Sequence, residues 1–471
     1  MMQQLIQLYQ QTYGFKPVRT EALTPAGSNR RYFRLYGSPT VIGVVGTSKE
    51  ENQAFIALAN HFFQLHLPVP KLLAVSNDAS CYLQQDLGSV ALFDALADGR
   101  NSGQYSADAI ALLEQTISEL PRFQFLGGKD FDFSVCYPLE CFDKRSIDFD
   151  LNYFKYCYLK LTGIEFNEVK LDVDFQLLAQ HLLKVSTGST FMYRDFQARN
   201  VMLFDGKPFF IDFQGGRRGP IFYDVASFLW QAKACYPQEL REHLIDIYLI
   251  AAEPFVDIDV KAFRNTLRHF VLFRLLQVLG AYGFRGLHEH KPHFIQSIPY
   301  ALNNLRELLT TPFDDYPYLN ELLTQLVAQK TAKEEKVLEV EVISFSFKNG
   351  YPYDASGNGG GYIFDCRALH NPGRYDAYKQ LTGQDAEVID FLQQYDEVET
   401  FITHAFALVE AHVQRYQQRG FTHLQVAFGC TGGQHRSVYC AEQMAKRLHE
   451  RFEKVAIKVV HREQKITYTL S

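Results

Sequence analysis

The sequence predicts a two-lobed α+β domain followed by a small α/β sheet domain, and three observations support this. The chain has 471 residues, which is too long for one ordinary domain. Segment 329–337 is polar, rich in charge and free of aromatic residues, as expected of a linker. Apolar residues follow a largely helical spacing before this segment and alternate between strand and helix patterns after it.

Residues 1–90 are expected to form a small mixed lobe. Aromatic and β-branched residues from Arg30 to Val45 predict two strands separated by a turn at Gly37-Ser38-Pro39. Apolar residues at helical spacing predict a helix from Glu50 to Leu65, and a further strand is predicted from Cys81 to Gln85. Strands on both sides of one helix indicate a mixed α/β lobe.

Residues 91–328 are expected to form a helical lobe, interrupted by an island of short strands at about 189–214. Its most apolar stretch runs from His269 to Phe284 and is interrupted by two polar residues, so it is too short to span a bilayer. We therefore expect a buried core helix at that position.

Residues 338–471 are expected to form the second domain. Period-two alternation predicts a strand from Leu338 to Phe347. The rest of the pattern predicts a helix at 398–413, a strand at 424–428, a helix at 438–452 and a strand at 455–460. Such alternation of strands and helices is typical of a small α/β sheet.

Composition favours a soluble cytoplasmic protein that binds no membrane. The net charge of −6 disfavours bulk nucleic-acid binding, which needs a large positive field. Eight cysteines are scattered without the two-residue spacing of a zinc or redox motif, as expected of reduced thiols in the cytosol. The N-terminus is polar and has no apolar run behind it, so we expect no signal peptide.

The strand-rich island carries the residues that phosphoryl transfer requires. That reaction needs a carboxylate to take up the proton of the acceptor hydroxyl and oxygen ligands for Mg²⁺, all fixed on rigid backbone. Asp195 and Asn200 lie on one loop and supply a base and one metal ligand, and Asp212 ends the following strand and supplies a second. The bland alternative is a polar loop between two short strands.

The same run, YRDFQARN followed by FFIDFQGGRRGPIFYDVAS, resembles the aminoglycoside phosphotransferase-like kinases. It is most similar to the amino-sugar kinases that phosphorylate N-acetylmuramate and N-acetylglucosamine at the anomeric hydroxyl. The resemblance spans roughly residues 1–325 and implies a protein-kinase-like fold, ATP or GTP, Mg²⁺ and an amino-sugar substrate. It assigns Asp195 as catalytic base, Asn200 and Asp212 as Mg²⁺ ligands, and Asp224 and Arg194 as structural support.

The small lobe matches this family less closely. Its first hairpin resembles the phosphate-covering hairpin, and the implied nucleotide contacts are Gly27, Ser28, Asn29, Arg34 and Glu51. Glu51 would normally pair with a strand lysine, but the strand 40–45 has none. Arg30, Arg31 or Arg34 is expected to meet the phosphates instead. A regulatory binding protein with a weak or inactive kinase fold stays open as an alternative.

The second domain contains the glycine-rich segment 428–437 between a strand and a helix. Adjacent glycines allow successive N–H groups to turn inward, and the following helix directs its free N–H groups and positive dipole end at the same point. Arg436 adds a bidentate donor, and Thr431 and Ser437 add hydroxyl groups. These features predict a site for a phosphate or sulfate group, and the bland alternative is a turn without a ligand.

Most of 340–465 resembles the C-terminal domain of RapZ proteins, through segments 345–352, 364–372, 381–383 and 429–437. The resemblance implies an amino-sugar phosphate effector such as glucosamine 6-phosphate, and it leaves protein partners, homo-oligomers and RNA binding open. RNA is the weaker expectation, because the usual Walker-type domain is absent and the chain is acidic. The implied ligand residues are Thr431, Gly432, Gly433, Gln434, His435, Arg436 and Ser437, with Lys348, Asp365, Arg367 and His461 beside them.

Cys430 and Arg436 allow a third hypothesis, a phosphatase. They stand at the spacing of enzymes whose thiolate attacks phosphorus, and a helix terminus lowers the pKa of such a thiol. This chemistry also needs a general acid on a nearby loop, for which the sequence offers Asp354 or Asp365.

Overall fold

The structure is a computed structural model that describes residues 2–23, 30–46, 48–185, 188, 190–334, 338–354 and 361–470. The chain forms two compact units, Met1–Val327 and Ala328–Ser471. The first unit is a two-lobed, protein-kinase-like domain and the second is a separate α/β sheet domain, so the predicted fold class is confirmed.

The small lobe is an antiparallel sheet with two helices. The sheet has the strand order β1-β2-β3-β5-β4. The predicted strand–turn–strand is present as β2 and β3, and the predicted helix begins one residue earlier than expected. The elements are α1 (Met2–Tyr13), β1 (Arg19–Ala22), β2 (Arg31–Tyr36), β3 (Val41–Val45), α2 (Lys49–Gln64), β4 (Leu72–Val75) and β5 (Cys81–Gln85).

The second lobe is helical and carries four short strands at the predicted island, paired as β6 with β9 and β7 with β8. Its elements are α3 (Leu92–Ala95), α4 (Ala97–Ser102), α5 (Ala107–Pro121), α6 (Lys144–Cys157), α7 (Glu168–Lys184), β6 (Phe191–Met192), β7 (Val201–Phe204), β8 (Lys207–Phe210), β9 (Arg217–Arg218), α8 (Phe222–Leu229), α9 (Gln238–Ala252), α10 (Val260–Tyr282), α11 (Pro292–Ile295), α12 (Ile298–Leu308) and α13 (Pro317–Glu334).

The linker expected at 329–337 begins inside a helix. Helix α13 continues to Glu334, because its polar and charged last residues are good helix formers that need no buried face. The side chains of 329–334 and all of 335–337 lie outside the described part of the chain.

Helix α10 is the core helix that the apolar stretch predicts. In the described residues one helical stretch, Val260–His288, is long and apolar enough to cross a membrane, but 61% of its most apolar window is buried in the fold. The helix packs against α6, α8 and α12. Gly280 allows the closest approach, since a side-chain carbon there would lie 2.8 Å from the backbone nitrogen of Phe154.

An aromatic cluster joins the small lobe to the strand-rich island. Phe213 stacks on Phe55 of α2 at a ring distance of 5.0 Å and meets the edge of Phe62 at 5.2 Å. All three side chains are at most 3% exposed. Burial of aromatic rings on this scale holds the segment after β8 rigidly against α2.

The second unit is a five-stranded sheet in the order β11-β12-β10-β13-β14. The first four strands are parallel and β14 is an antiparallel edge. The strand β11, the edge β14 and the helix α14 were not predicted from the sequence. The elements are β10 (Leu338–Ser346), β11 (Gly361–Asp365), α14 (Ala386–Gln393), α15 (Asp396–Arg419), β12 (His423–Cys430), α16 (Arg436–Arg451), β13 (Val455–His461) and β14 (Ile466–Leu470).

Candidate functional sites

The predicted catalytic loop connects β6 to β7, and Asp212 follows β8. The Asn200 side chain donates from Nδ2 to the backbone oxygen of Asp195 at 2.8 Å. The backbone N–H of Ile211 donates to the Asn200 carbonyl at 3.0 Å. These two bonds bring Asp195, Asn200 and Asp212 to one place and leave the amide oxygen of Asn200 as its ligand atom.

A fully buried carboxyl group holds this loop from behind. Asp224 on α8 is 0% exposed and accepts hydrogen bonds from the backbone N–H of Tyr193 at 2.7 Å and of Arg194 at 2.8 Å. Burial raises the pKa of Asp224 to about 7. Arg194 and Asp212 adopt the left-handed φ values of +74° and +68°. Such strained residues cluster at functional sites, where the surroundings enforce their geometry.

The two carboxyl groups at this place repel each other. Burial raises the pKa of Asp212, and the nearby Asp195 raises it further, although Gln214 donates to Asp212 Oδ1 at 2.7 Å. A divalent cation would remove this repulsion. In the described residues no three His, Cys, Asp or Glu side chains form a metal site. The oxygen donors of Asn200 and Asp212 fit Mg²⁺, which binds through a few hard oxygens and leaves the rest to phosphates and water.

Arg30 occupies the role expected of the missing strand lysine. It is 1% exposed, its Nε lies 3.5 Å from Glu51 Oε1, and its Nη2 donates to the Glu51 carbonyl at 2.9 Å. Its charge acts to lower the pKa of Asp212. In kinases a lysine that pairs with the glutamate of the corresponding helix contacts the nucleotide phosphates, so Arg30 is a candidate for the same contact.

Of the other nucleotide contacts expected in the small lobe, the structure describes Arg34. Arg34 donates to both carboxylate oxygens of Asp86, at 2.7 and 3.0 Å, and to the carbonyl of Gly88 at 2.7 Å. The guanidinium group of Arg34 therefore anchors the segment after β5, and its contact with phosphate stays a prediction. Gly27, Ser28 and Asn29 lie outside the described residues.

A cavity of about 280 Å³ opens beside the catalytic loop and is lined by α6, the loop and β9. Its charged residues include Arg145 and Arg217, to which the sequence analysis assigned no role. The adjacent arginines of the GGRRG run, shortly after β8, are the sequence signal that could have indicated Arg217. A larger cavity of about 880 Å³, near Gln85 and the β7–β8 turn, contains none of the predicted catalytic residues in its lining.

In the second unit the candidate residues gather at the carboxyl edge of the sheet. Ser346, Asp365, Cys430 and His461 end the parallel strands β10, β11, β12 and β13. Ligands of open parallel sheets bind outside this edge. Lys348 follows β10 and is exposed there.

Several side chains of the glycine-rich loop fasten the loop instead of facing outward. Gln434 donates to the carbonyls of Lys379 and Leu381 at 3.0 and 2.7 Å, and His435 Nε2 lies 2.8 Å from the Tyr378 carbonyl. The side chains of Gln434 and His435 thus attach the loop to the neighbouring segment, and their predicted place at the ligand stays a prediction.

Thr431 and Gly432 are exposed, and Arg436 is buried. Arg436 Nη1 donates to the carbonyls of Arg367 and Leu369 at 2.7 and 2.9 Å. Its Nε is buried without a hydrogen-bond partner among the described residues. A cavity of about 170 Å³ is lined by this residue, Asn371, Gly373, Cys430, Thr431, Gly432, Gln434 and His435. An anion there would satisfy Arg436 Nε.

The neighbouring polar candidates are already paired. Arg367 donates from Nη2 to Asp365 at 2.6 Å, and this contact lowers the pKa of Asp365. His461 is 0% exposed and lies between Ser344 Oγ at 2.8 Å and Glu442 at 2.7 Å. His461 is thus a member of a buried polar network, and its expected place beside the ligand was wrong.

Cys430 has part of a phosphatase arrangement. Burial acts to raise the pKa of its thiol, but hydrogen bonds from Ser437 and from the N–H of Gly433 lower it overall. The hydroxyl group of Ser437 therefore interacts with the Cys430 sulfur. Asp354 lies 3.7 Å from His423 at the opposite end of β12, and Asp365 is held ionised by Arg367. Neither acid predicted for the phosphatase hypothesis can serve it.

Two family models match the chain. The model described as the phosphotransferase enzyme family covers residues 21–263, and the model for the RapZ C-terminal domain covers 338–465. A nucleotide-binding protein of Acidobacterium capsulatum is 31% identical over 50% of this chain and 71% of its own length. One from Fervidobacterium nodosum is 38% identical over 31% of this chain and 49% of its own length. The chain spans about half the length of several such relatives.

Solved structures with a similar fold include the gentamicin complex of APH(2")-IIa, at 12% identity and a TM-score of 0.45 over 64% of this chain and 95% of that one. Choline kinase of Cryptosporidium parvum has 11% identity and a TM-score of 0.44 over 70% of this chain and 99% of that one. Because the first family model spans more than half of the 471 residues, this chain belongs to the phosphotransferase enzyme family and carries a RapZ-like C-terminal domain.

Proposed function

We propose that the first unit transfers the γ-phosphoryl group of ATP or GTP to a hydroxyl group of an amino sugar. The carrying observation is the convergence of Asp195, Asn200 and Asp212, fixed from behind by the two hydrogen bonds of Asp224. The family supports the phosphotransferase reaction. Both resemblances, to amino-sugar kinases and to RapZ, favour an amino-sugar acceptor and its anomeric hydroxyl.

In this proposal each residue has a separate task. Asp195 orients the acceptor hydroxyl and takes up its proton as the bond to phosphorus forms. Asn200 and Asp212 would hold Mg²⁺, which would offset the negative charge of the phosphate groups. Rigid placement of these groups contributes to the rate by presenting the hydroxyl in line with the phosphoryl group.

One cationic group, that of Arg30, completes the proposed arrangement. Arg30, paired with Glu51, contacts the nucleotide phosphates from the small lobe. Its pairing also weakens the alternative of an inactive kinase fold, because the ion pair that the missing lysine would make is supplied from another position.

We further propose that the second unit binds an amino-sugar phosphate and reports its level. Arg436 Nε, the N–H groups near Thr431 and Gly432, and the N-terminal end of α16 would hold the phosphate. Calorimetric titration of glucosamine 6-phosphate into the protein and into Arg436→Met tests this. Binding that survives Arg436→Met unchanged would contradict the site.

The kinase proposal is tested with Asp195→Asn. Phosphate transfer from ATP and GTP is measured with Mg²⁺ and a panel of N-acetylglucosamine, N-acetylmuramate, glucosamine, choline and gentamicin. We expect turnover with an amino sugar and a loss of about 10²–10⁴-fold in kcat in the variant.

Asp205→Asn is the matched control. Asp205 lies exposed in the β7–β8 turn with φ +49°, a conformation that asparagine adopts readily. Full activity of Asp195→Asn would end the mechanism. Turnover with no acceptor, together with tight glucosamine 6-phosphate binding, would favour the regulatory alternative.

A further inference from the structure

The cavity beside Asp195 carries more positive than negative charge. Its lining includes Arg145, Arg194 and Arg217, which face a single carboxyl group in the lining, Asp150. Within the described part of the chain, none of the three arginines forms an ion pair with a carboxylate. Arg217 is buried, and a buried guanidinium group without an ion pair is costly, so the cavity is suited to an anion.

Arg217 shows this most clearly. It is 2% exposed, and its Nε and Nη2 donate long hydrogen bonds of 3.4 and 3.3 Å to one backbone oxygen, that of Gly215. Burial, and secondly the guanidinium group of Arg194, lower the pKa of Arg217 to about 10. An oxyanion beside the two guanidinium groups would receive short charge-assisted hydrogen bonds and relieve their repulsion.

The carboxyl group of Asp150 does not neutralise the three arginines of the cavity lining. It is 8% exposed, and burial raises the pKa of its carboxyl group, against which Arg194, Arg274 and Arg217 act. The lining therefore carries three guanidinium groups and one carboxyl group.

The cavity lies next to the reacting position and apart from the nucleotide side. A carbon added at Gly215 would lie 3.9 Å from Asp195 Oδ2 and 4.0 Å from Arg194 Cδ. The lining residues run from Pro138 to Tyr223, so all of them belong to the helical lobe. A group bound here is thus part of the acceptor and not one of the nucleotide phosphates, which in this fold lie under the small lobe.

We propose that this cavity binds a carboxylate or phosphate group of the acceptor, so that the substrate is an acidic amino sugar. The inference rests on the proposed kinase function. Leu139, Phe142 and Phe149 provide an apolar wall for the non-polar face of the sugar. The volume of about 280 Å³ is near the lower limit of small-molecule sites, roughly 300 Å³, and suits a monosaccharide.

The first test compares three acceptors with the wild-type enzyme. N-acetylglucosamine is neutral, N-acetylmuramate carries a carboxylate and N-acetylglucosamine 6-phosphate carries a phosphate. We expect kcat/KM to be at least about 10-fold higher for one of the two acidic sugars, and the better one identifies the anion. Equal or better turnover of the neutral sugar would overturn the inference and leave the kinase proposal intact.

The second test removes one positive charge at a time. Arg145→Gln and Lys144→Gln are matched, since both residues are exposed on α6 but only Arg145 lines the cavity. We expect Arg145→Gln to raise KM for the acidic sugar about 10-fold, with KM for ATP and for the neutral sugar unchanged, and Lys144→Gln to change none of them. Equal effects of the two variants, or an equal loss for both sugars, would contradict the site.

A binding measurement separates this inference from the kinase proposal. The three sugars are titrated calorimetrically into wild-type protein and Arg217→Gln without nucleotide. If no sugar is phosphorylated but an acidic sugar binds wild-type protein about 10-fold more tightly than Arg217→Gln, the oxyanion site stands and the kinase proposal fails. If neither acidic sugar binds better than the neutral one, the inference is overturned. Should Arg217→Gln not fold, the same titration is carried out with Arg145→Gln.

Discussion

The catalytic loop of the first unit and the glycine-rich loop of the second unit are both held in place by hydrogen bonds, but different groups of the loop remain available for a ligand. In the first, one buried carboxyl group, Asp224, holds the backbone, and the side chains of Asp195 and Asn200 stay available for ligands. In the second, the side chains of Gln434 and His435 hold the backbone, which leaves N–H groups and one guanidinium edge for a ligand. A polar residue in a motif can thus serve the loop or the ligand, and its hydrogen bonds decide which.

The largest effect is expected from the titration of Asp224, the carboxyl group that holds the catalytic loop. Its pKa is raised to about 7 in the folded protein, so the folded state holds a proton that the unfolded chain releases near pH 4. Stability from this group is complete below the unfolded pKa and is lost as the pH rises toward 7. Relative to Asp224→Asn, the wild-type free energy of unfolding should fall by up to roughly 4 kcal/mol between pH 4 and 7.

Chemical denaturation of both proteins across this pH range measures the difference. Parallel curves would show that the two backbone N–H groups keep Asp224 ionised, and the loop would then be held by a charge instead of a neutral carboxyl group.

Replacement of Arg30 tests whether a side chain of the small lobe contacts the nucleotide. We expect Arg30→Met to lower kcat/KM for the nucleotide roughly 100-fold, since a buried cation aimed at developing charge is removed. Arg31→Met is the control, because Arg31 is the next residue and is exposed at the start of β2. Steady-state kinetics measure the effect, and equal losses in the two variants would exclude a special role for Arg30.

Replacement of Gly433 tests whether the glycine-rich loop depends on its backbone conformation. Its φ is +67°, and an added carbon would lie 2.4 Å from Glu463 Cγ and 2.9 Å from the backbone nitrogen of Ser346. Gly420 has a similar φ of +69° but no atom within 4 Å of such a carbon. Gly433→Ala should therefore destabilise the protein by about 1–3 kcal/mol more than Gly420→Ala. Thermal unfolding measures this, and similar losses would show that the loop moves aside freely.

The smallest effect is expected at Cys430. The residue is 3% exposed, its sulfur accepts the N–H of Gly433 at 3.2 Å, and the acids proposed for it are unsuitable. Cys430→Ser should therefore leave hydrolysis of an aryl phosphate at the background rate of the wild-type protein. Turnover in the wild-type protein that disappears in the variant would restore the phosphatase hypothesis and make this loop a second catalytic centre.

The sequence alone determined the fold class, the change of architecture near residue 330, and the segment that carries Asp195, Asn200 and Asp212. These follow from local patterns, because hydrophobic spacing and residue types at short range specify strands, helices and loop chemistry. It did not determine where the first unit ends, since polar helix formers continue α13 to Glu334.

Only the tertiary structure decided how individual polar side chains are used. Arg30 and Arg34 lie four positions apart, yet one pairs with Glu51 near Asp212 and the other with Asp86. Likewise Arg217 became a candidate only when β9 brought it beside α6 and Arg194. Hydrogen bonds and charge pairs join residues that are distant in the chain, so spacing in the sequence cannot specify them.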